Sequence, residues 1–276
     1  MKNKENTTRK INMYVLLLIG VVISLFPFYW MVVGSTLPSG KIFSVPPKLI
    51  PGNHLLENAK TLNESLDFAR VMWNSLFIAI IYTVISVLLC TMAGYAFAKF
   101  QFKGKKFLFF LILCTLMIPF QVTLIPLFEI MVTLDWLNTY QAIILPSIAS
   151  PFAIFLMRQN MITIPDSMLE AARIDGAGEF KIFFSIIMPT MKPALAAVSI
   201  FLFMSQWNNL LWPLITLNSK DMFTLPVALS SLIGMARIDY GQVMLGTTLS
   251  VIPILIFFLI FQKNFIAGIL GGSVKG

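Results

Sequence analysis

Long apolar runs separated by short polar segments fill almost the whole chain. A helix that crosses a lipid bilayer needs about 20 predominantly apolar residues. The pattern therefore predicts an all-α integral membrane protein with six transmembrane helices and no soluble domain. The predicted membrane-spanning helices cover residues 11–33, 71–98, 107–130, 140–158, 194–216 and 243–262.

Two of the six runs and two of the segments between them have features that refine this prediction. The first run exceeds the roughly 7–15 apolar residues of a signal peptide, and no A-x-A-like cleavage site follows Trp30, so we expect a retained helix. The fourth run is the weakest, because Pro146 and Pro151 interrupt it. The segment 34–70 is expected to lie outside the cell and to contain one short helix, and 159–193 is the longest inner loop.

Composition and charge strengthen the membrane interpretation. Hydrophobic residues make up 58% of the chain, charged residues only 12%, and the mean hydropathy is +0.85, whereas soluble domains carry roughly 25% charged residues. The net charge of +8 could indicate nucleic-acid binding, but the lysines and arginines are scattered through short loops. With six spans both termini lie on the same side of the membrane, and the segments on that side hold most of these basic residues. Cytoplasmic segments of membrane proteins are rich in lysine and arginine, so we expect both termini in the cytoplasm and no nucleic-acid partner.

The sequence lacks the residues of an energy-converting or catalytic site. Residues 34–41 resemble a phosphate-binding loop, but they place five residues between the glycines where four are needed, and Ile42 replaces the metal-binding hydroxyl. The runs are nearly free of the charges that coupled carriers use. His54, Cys90 and Cys114 show neither catalytic nor metal-ligand spacing. We therefore expect no enzyme activity, no metal site and an energy source on another protein.

The inner loop predicts a helix, a turn and a second helix. Ser167–Glu170 has the form of a capping box, with Asp166 or Ser167 as the capping residue. Asp175-Gly176 indicates a helix stop. A second short helix from about Glu179 should present Phe180, Phe183, Phe184 and Ile187 on one side. Such a hairpin could dock into a groove on a partner or lie on the membrane surface, and spacing alone does not decide between these.

The residues of this loop and their spacing resemble the motif of a known family. Glu170-Ala171-Ala172, followed at fixed spacings by Gly176, Ile186 and Met188-Pro189, is similar to the EAA loop of ABC importer permeases, although the family pattern has Leu where Met188 stands. Further segments resemble the MalG-type permeases of carbohydrate importers, and the resemblance covers the chain from about residue 11. These segments are 175–177, 206–214, 224–227 and 271–276.

The resemblance implies the type I ABC importer permease fold, with a five-helix permease domain at about 70–262 and cytoplasmic tails at 1–10 and 263–276. It also implies three kinds of partner: a second homologous permease, an ABC ATPase dimer and an extracellular substrate-binding protein. ATP and Mg²⁺ would bind to the ATPase, and this chain would hold no cofactor. The coupling loop, 159–193, would contact the ATPase through Glu170, Ala171, Ala172 and Gly176, with Arg173 and Asp175 as ion-pairing residues.

Polar residues in the fifth run are candidates for the translocation path. Gln206 and Asn209 are three residues apart and are expected to share a helix face, with Trp207 and Asn208 beside them. Hydrogen bonding between helices is the alternative role for such side chains. At the level of the whole protein, the alternatives to sugar import are a sugar phosphate, peptide or polyamine cargo, a carrier working alone, and a membrane receptor or scaffold.

Overall fold

A computed structural model describes residues 2–235 and 238–273, with side chains from 10 to 235 and from 238 to 263. These residues form helices and connecting loops, with no strand in the described ranges, which confirms the all-α prediction. The α-helices are α1 (Lys2–Ser35), α2 (Ser39–Ile42), α3 (Leu55–Ser65), α4 (Phe68–Lys99), α5 (Lys105–Thr115), α6 (Phe120–Thr133), α7 (Tyr140–Ile144), α8 (Pro151–Ile162), α9 (Asp166–Ile174), α10 (Glu179–Ile182), α11 (Met188–Thr190), α12 (Lys192–Trp207), α13 (Leu211–Thr216), α14 (Leu225–Ile233) and α15 (Tyr240–Ser273).

Four stretches of the described chain are long and apolar enough to cross a membrane as they stand. Two further pairs qualify only if each bent pair is one span, α5 with α6 and α7 with α8, so the described residues provide four to six spans. The four continuous stretches are Lys10–Ser35, Phe68–Lys99, Lys192–Thr216 and Tyr240–Lys263.

The third predicted span, 107–130, is not one straight helix. Its two halves, α5 and α6, meet at 99°, and α6 begins directly after Pro119, whose backbone is extended. Proline donates no backbone hydrogen bond, and it disfavours helical geometry in the residue before it. The predicted interruption of the fourth span is confirmed, since α7 and α8 are bent by 44° at the break before Pro151.

The chain divides into two compact units. One comprises residues up to Phe68 together with Leu229–Ile252, and the other comprises Ala69–Ala228 together with the chain from Pro253 onward. In the first unit, α3 is the short helix predicted for the outer segment. Its buried Asn58 donates hydrogen bonds to the carbonyl oxygens of Ser35 (2.8 Å) and Leu37 (3.0 Å).

The second unit holds the larger core, which includes the fully buried side chains of Cys90, Met157, Leu169 and Leu202. Within it, α4 and α8 approach each other backbone to backbone at Gly94. A Cβ atom added at Gly94 would lie 2.8 Å from Met157 Cβ and 2.9 Å from the backbone nitrogen of the next residue. This close packing sets the end of α4 beside the loop that follows α8, where the predicted coupling loop begins.

Candidate functional site

The predicted inner loop folds as a helical hairpin, but its first helix begins differently from the prediction. The N-cap position of α9 is occupied by Pro165, and no side chain caps the helix there. Since Asp166 is already the first helical residue and Ser167 the second, neither can act as the N-cap. The prediction that Asp166 or Ser167 caps α9, in a capping box with Glu170, is therefore wrong.

The turn of the hairpin follows the prediction of a helix stop at Asp175-Gly176. Gly176 has φ +79°, and its backbone N–H donates to the carbonyl of Arg173 at 3.0 Å, while the N–H of Ala177 donates to the carbonyl of Ala172 at 2.9 Å. These two bonds form a Schellman motif, in which a left-handed residue reverses the chain after a helix. The chain then enters α10 at Glu179, as predicted.

The aromatic residues after the turn do not share one side, contrary to the prediction. Phe183 and Ile187 are buried in the core, whereas Phe180 and Phe184 are 72% and 51% exposed. The cause is a turn of π-helix at Phe183–Ile187, because i→i+5 hydrogen bonding changes the angular spacing of side chains from that of an α-helix.

Two anchors bind the start of the hairpin to the rest of its unit. Leu169 is 1% exposed and packs into the core. Lys99, at the end of α4, donates hydrogen bonds to the carbonyl oxygen of Ile164 at 2.5 Å and to Oδ1 of Asp166 at 2.7 Å. The bonded ammonium of Lys99 lowers the pKa of the Asp166 carboxyl below its usual value.

A third anchor joins both helices of the hairpin to α4 through Glu179. Its carboxylate accepts from Arg173 Nε at 2.7 Å and from the Tyr95 hydroxyl at 3.0 Å. The bond from Arg173 is the main cause that lowers the pKa of Glu179, with the Tyr95 hydroxyl acting in the same direction. Arg173, predicted as an ion-pairing residue at the ATPase, thus has its ion-pair partner within this chain.

The Glu179 anchor predicts a local change in hairpin stability. Glu179→Gln should speed amide hydrogen exchange in α9 and α10 by roughly two- to fivefold, since partly exposed ion pairs contribute about 0.2–1 kcal/mol. Because the folded-state pKa is lowered, the stabilisation is complete above the ordinary glutamate pKa and is lost as the pH falls through the lowered value. Glu170→Gln is the matched control, and equal exchange rates in the two variants would contradict the anchor.

The outward side of the hairpin carries most of the predicted coupling residues. Glu170, Ala171, Asp175 and Gly176 are exposed, and no described residue pairs with the Glu170 carboxylate. Ala172 is instead half-buried against the core. Sequence reasoning missed Ile174, which is 86% exposed and lies one helical turn after Glu170 and Ala171. We call the exposed set Glu170, Ala171, Ile174, Asp175 and Gly176 the hairpin surface.

A separate cavity of about 220 Å³ lies in the same unit. Gln206 is 7% exposed, and its side-chain Nε2 has no hydrogen-bond partner among the described residues. A buried polar group without a partner is rare and is costly inside a membrane protein. The lining combines side-chain amides, hydroxyls and aromatic rings: Tyr82, Phe120, Leu127, Pro146, Ser147, Ser205, Gln206, Asn209 and Trp212.

The structure brings two of the four predicted path residues to this cavity. Gln206 and Asn209 both line it, although not as one helix face, because α12 ends at Trp207. Trp207 is buried and stacks on Phe203, with ring centroids 5.7 Å apart. Asn208 is exposed and donates back to the carbonyl of Met204 at 2.9 Å, so neither Trp207 nor Asn208 lines the cavity.

The aromatic part of the cavity was not predicted. Phe120 lies just after the sharp bend at Pro119, and Trp212 lies in the short helix α13 beyond the end of α12. Trp212 is fixed by a hydrogen bond of 2.7 Å from its indole nitrogen to the carbonyl of Ala142. These residues come from separate segments, and only the three-dimensional arrangement assembles them.

Comparison with known protein families shows to which family this chain belongs. The family described as "Binding-protein-dependent transport system inner membrane component" matches residues 86–270, which include the hairpin and every lining residue of the cavity except Tyr82. The chain belongs to this family. It is a permease, and because the family consists of membrane components of transporters, the prediction that it is not itself an enzyme agrees with its membership.

Individual relatives cover nearly the whole permease. It is 41% identical to the arabinooligosaccharides transport system permease protein AraQ of Halalkalibacterium halodurans, over 92% of each chain. It is also 41% identical to the lactose transport system permease protein LacG of Rhizobium radiobacter, over 95% of each chain, and 36% identical to the sn-glycerol-3-phosphate transport system permease protein UgpE of Yersinia pestis, over 93% of this chain and 94% of the relative.

A solved structure shares the fold. It is described as the crystal structure of a bacterial ABC transporter involved in the import of the acidic polysaccharide alginate. The match has a TM-score of 0.80, with 24% sequence identity, and it covers 95% of this permease and 98% of that chain. This match confirms the predicted ABC importer permease fold, while the family model and the relatives above confirm the predicted family.

Proposed function

We propose that this permease imports a sugar or oligosaccharide as one of two permeases in a complex with an ABC ATPase dimer and an extracellular substrate-binding protein. The observation that carries the proposal is the hairpin, which is anchored to α4 and to the core while it presents Glu170, unpaired among the described residues, on its outer side. A surface of this kind suits a rigid contact with a partner. Family membership supports the same reading.

In this proposal the hairpin receives force from the ATPase. ATP and Mg²⁺ act on the ATPase, and this chain binds neither. When the ATPase dimer closes, the hairpin moves as a rigid body, and the membrane helices rock between inward-facing and outward-facing states. Both termini and the hairpin lie in the cytoplasm, which the distribution of lysine and arginine favours.

A neutral, hydroxyl-rich cargo fits the cavity best. The side chains that line it include no charged group. Amide and hydroxyl groups can exchange hydrogen bonds with sugar hydroxyls, while aromatic rings cover the apolar faces of a sugar. The names of AraQ and LacG favour this cargo. The name of UgpE keeps a sugar phosphate as the second candidate, and a partner permease could then supply the positive charge.

Transport by the reconstituted complex tests the proposal. The complex that copurifies with this permease is placed in vesicles, and uptake of an arabinooligosaccharide, lactose and sn-glycerol-3-phosphate is measured with the copurified binding protein. We expect uptake of a neutral saccharide that requires ATP and is abolished by a non-hydrolysable ATP analogue. ATP-independent uptake would instead indicate a carrier working alone, and ATPase activity that never responds to cargo would indicate a docking scaffold.

A further inference from the structure

A second and larger cavity, of about 710 Å³, lies where α5 begins. Three of its lining side chains are basic, and none is acidic. This composition differs from that of the cavity at Gln206, which has no charged lining. We call it the basic cavity; its lining residues are Gln101, Phe102, Gly104, Lys105, Lys106, Phe107, Phe109 and Arg158.

Two of the cations are held in place by backbone carbonyls in the last turn of α4 and just after it. Lys105 Nζ donates to the carbonyl oxygen of Phe100 at 2.7 Å. Arg158 Nε donates to the carbonyl oxygen of Phe97 at 3.2 Å, and its guanidinium carbon lies 4.1 Å from the centre of the Phe109 ring. An arginine has five N–H donors, and only that on Nε is used among the described residues. The Nη groups therefore remain available to an anion.

The acidic residue that interacts with Lys105, Asp166, is already paired with Lys99 at 2.7 Å. Lys106 is exposed and has no ion-pair partner among the described residues. The basic cavity therefore retains uncompensated positive charge, which a ligand with negative charge would balance.

The position of the basic cavity indicates which anion fits. It lies at the start of α5, which forms half of a candidate membrane span. From this cavity onward, α5 exposes the lining residue Phe107 and then Phe110 and Leu111, at 64%, 59% and 44%. Charged groups at the end of an exposed apolar helix meet the headgroup layer of a bilayer, and basic pockets at that level suit anionic headgroups.

We propose that the basic cavity binds the phosphate of an anionic phospholipid, with Lys106 and Arg158 on the headgroup and the exposed apolar side of α5 along an acyl chain. Arginine favours this role because its planar donors can bind two phosphate oxygens at once. The bound lipid adjoins the loop between α4 and α5, so it would link the membrane surface to the end of the helix that also anchors the hairpin.

Native mass spectrometry of the assembled importer tests this site. The complex is extracted into detergent with equal amounts of phosphatidylglycerol and phosphatidylcholine, and the lipid that it retains is counted. We expect preferential retention of phosphatidylglycerol, lowered at least fivefold by Lys106→Gln and by Arg158→Gln, since each substitution removes a charge-assisted hydrogen bond to the lipid phosphate. Lys103→Gln is the matched control, because Lys103 lies in the same turn but does not line the cavity.

The outcomes separate the possible sources of the phosphate. Equal retention of the two lipids, or equal loss in the Lys103 variant, overturns the site. Displacement of phosphatidylglycerol by excess inorganic phosphate, with the phosphate then bound in its place, overturns the lipid as the natural ligand. If Arg158→Gln fails to assemble because its contacts with Phe97 and Phe109 are lost, Lys106→Gln carries the test alone, since its exposed side chain supports no described contact.

Discussion

Valine in place of Gly176 is expected to reduce ATP-driven uptake about tenfold or more while the permease still inserts and assembles. At φ +79° a non-glycine residue is strained, by roughly 1–2 kcal/mol for an ordinary residue and more for a β-branched one. A Cβ atom added there would meet nothing within 4 Å, so the effect arises from the backbone alone. The Schellman turn would open, and α9 would no longer be held rigidly against the partner.

Two matched variants separate the backbone effect from side-chain size. Gly178→Ala, two residues away, adds a methyl group where φ is −70° and space is open, so uptake should stay normal. Gly176→Asn should retain more uptake than valine, because asparagine tolerates left-handed geometry. Uptake and substrate-stimulated ATPase activity are measured in the same vesicles, and normal values for both in Gly176→Val would remove the coupling role assigned to this turn.

The hairpin shows which features a sequence can predict. The turn at Gly176 depends on residues adjacent in sequence, and the helix stop was predicted correctly. The start of α9 was predicted wrongly because Ser167 and Glu170 fit a capping box, yet Pro165 already occupies the N-cap position. The residues near this point fit a helix start at Pro165 as well as one at Asp166 or Ser167, so the local sequence does not decide between them.

The sequence pattern did not predict the contacts between residues that are far apart in the chain. Lys99 and Asp166 are 67 residues apart, and Tyr95 and Glu179 are 84 apart; nothing near either member of a pair indicates the other. The cavity at Gln206 depends in the same way on the 99° bend between α5 and α6. The third span was predicted as one run over 107–130, so neither the break at Pro119 nor its angle was expected.

One helix connects the two sites that the proposed function requires. Tyr82 of α4 lines the cavity, and Tyr95 and Lys99 of the same helix hold the hairpin. Thirteen residues of α-helix between Tyr82 and Tyr95 span about 20 Å. A shift of the hairpin can therefore reach the cavity through α4 without a change in the internal structure of either site, which is the requirement for rigid-body coupling.

Gln206→Met is expected to raise or maintain thermal stability in detergent while it lowers sugar uptake at least fivefold. The Nε2 group of Gln206 is buried without a described partner, and replacing such a group by an apolar one of similar shape removes an unfavourable burial. If the amide exists to exchange hydrogen bonds with a sugar, the same change removes about 1–2 kcal/mol of binding. Stability and function should thus move in opposite directions, as at sites that are strained for function.

Asn74→Leu supplies the contrast. Asn74 is also a buried amide in this unit, but its Nδ2 donates to the carbonyl oxygens of Asp221 (2.8 Å) and Phe223 (3.2 Å), and its Oδ1 accepts from the Tyr140 hydroxyl (2.8 Å). Its removal leaves those groups unpaired, so stability should fall by about 1–3 kcal/mol. A loss of stability in Gln206→Met like that in Asn74→Leu would assign Gln206 to hydrogen bonding between helices. Normal uptake by a stabilised Gln206→Met permease would remove the amide from the sugar path.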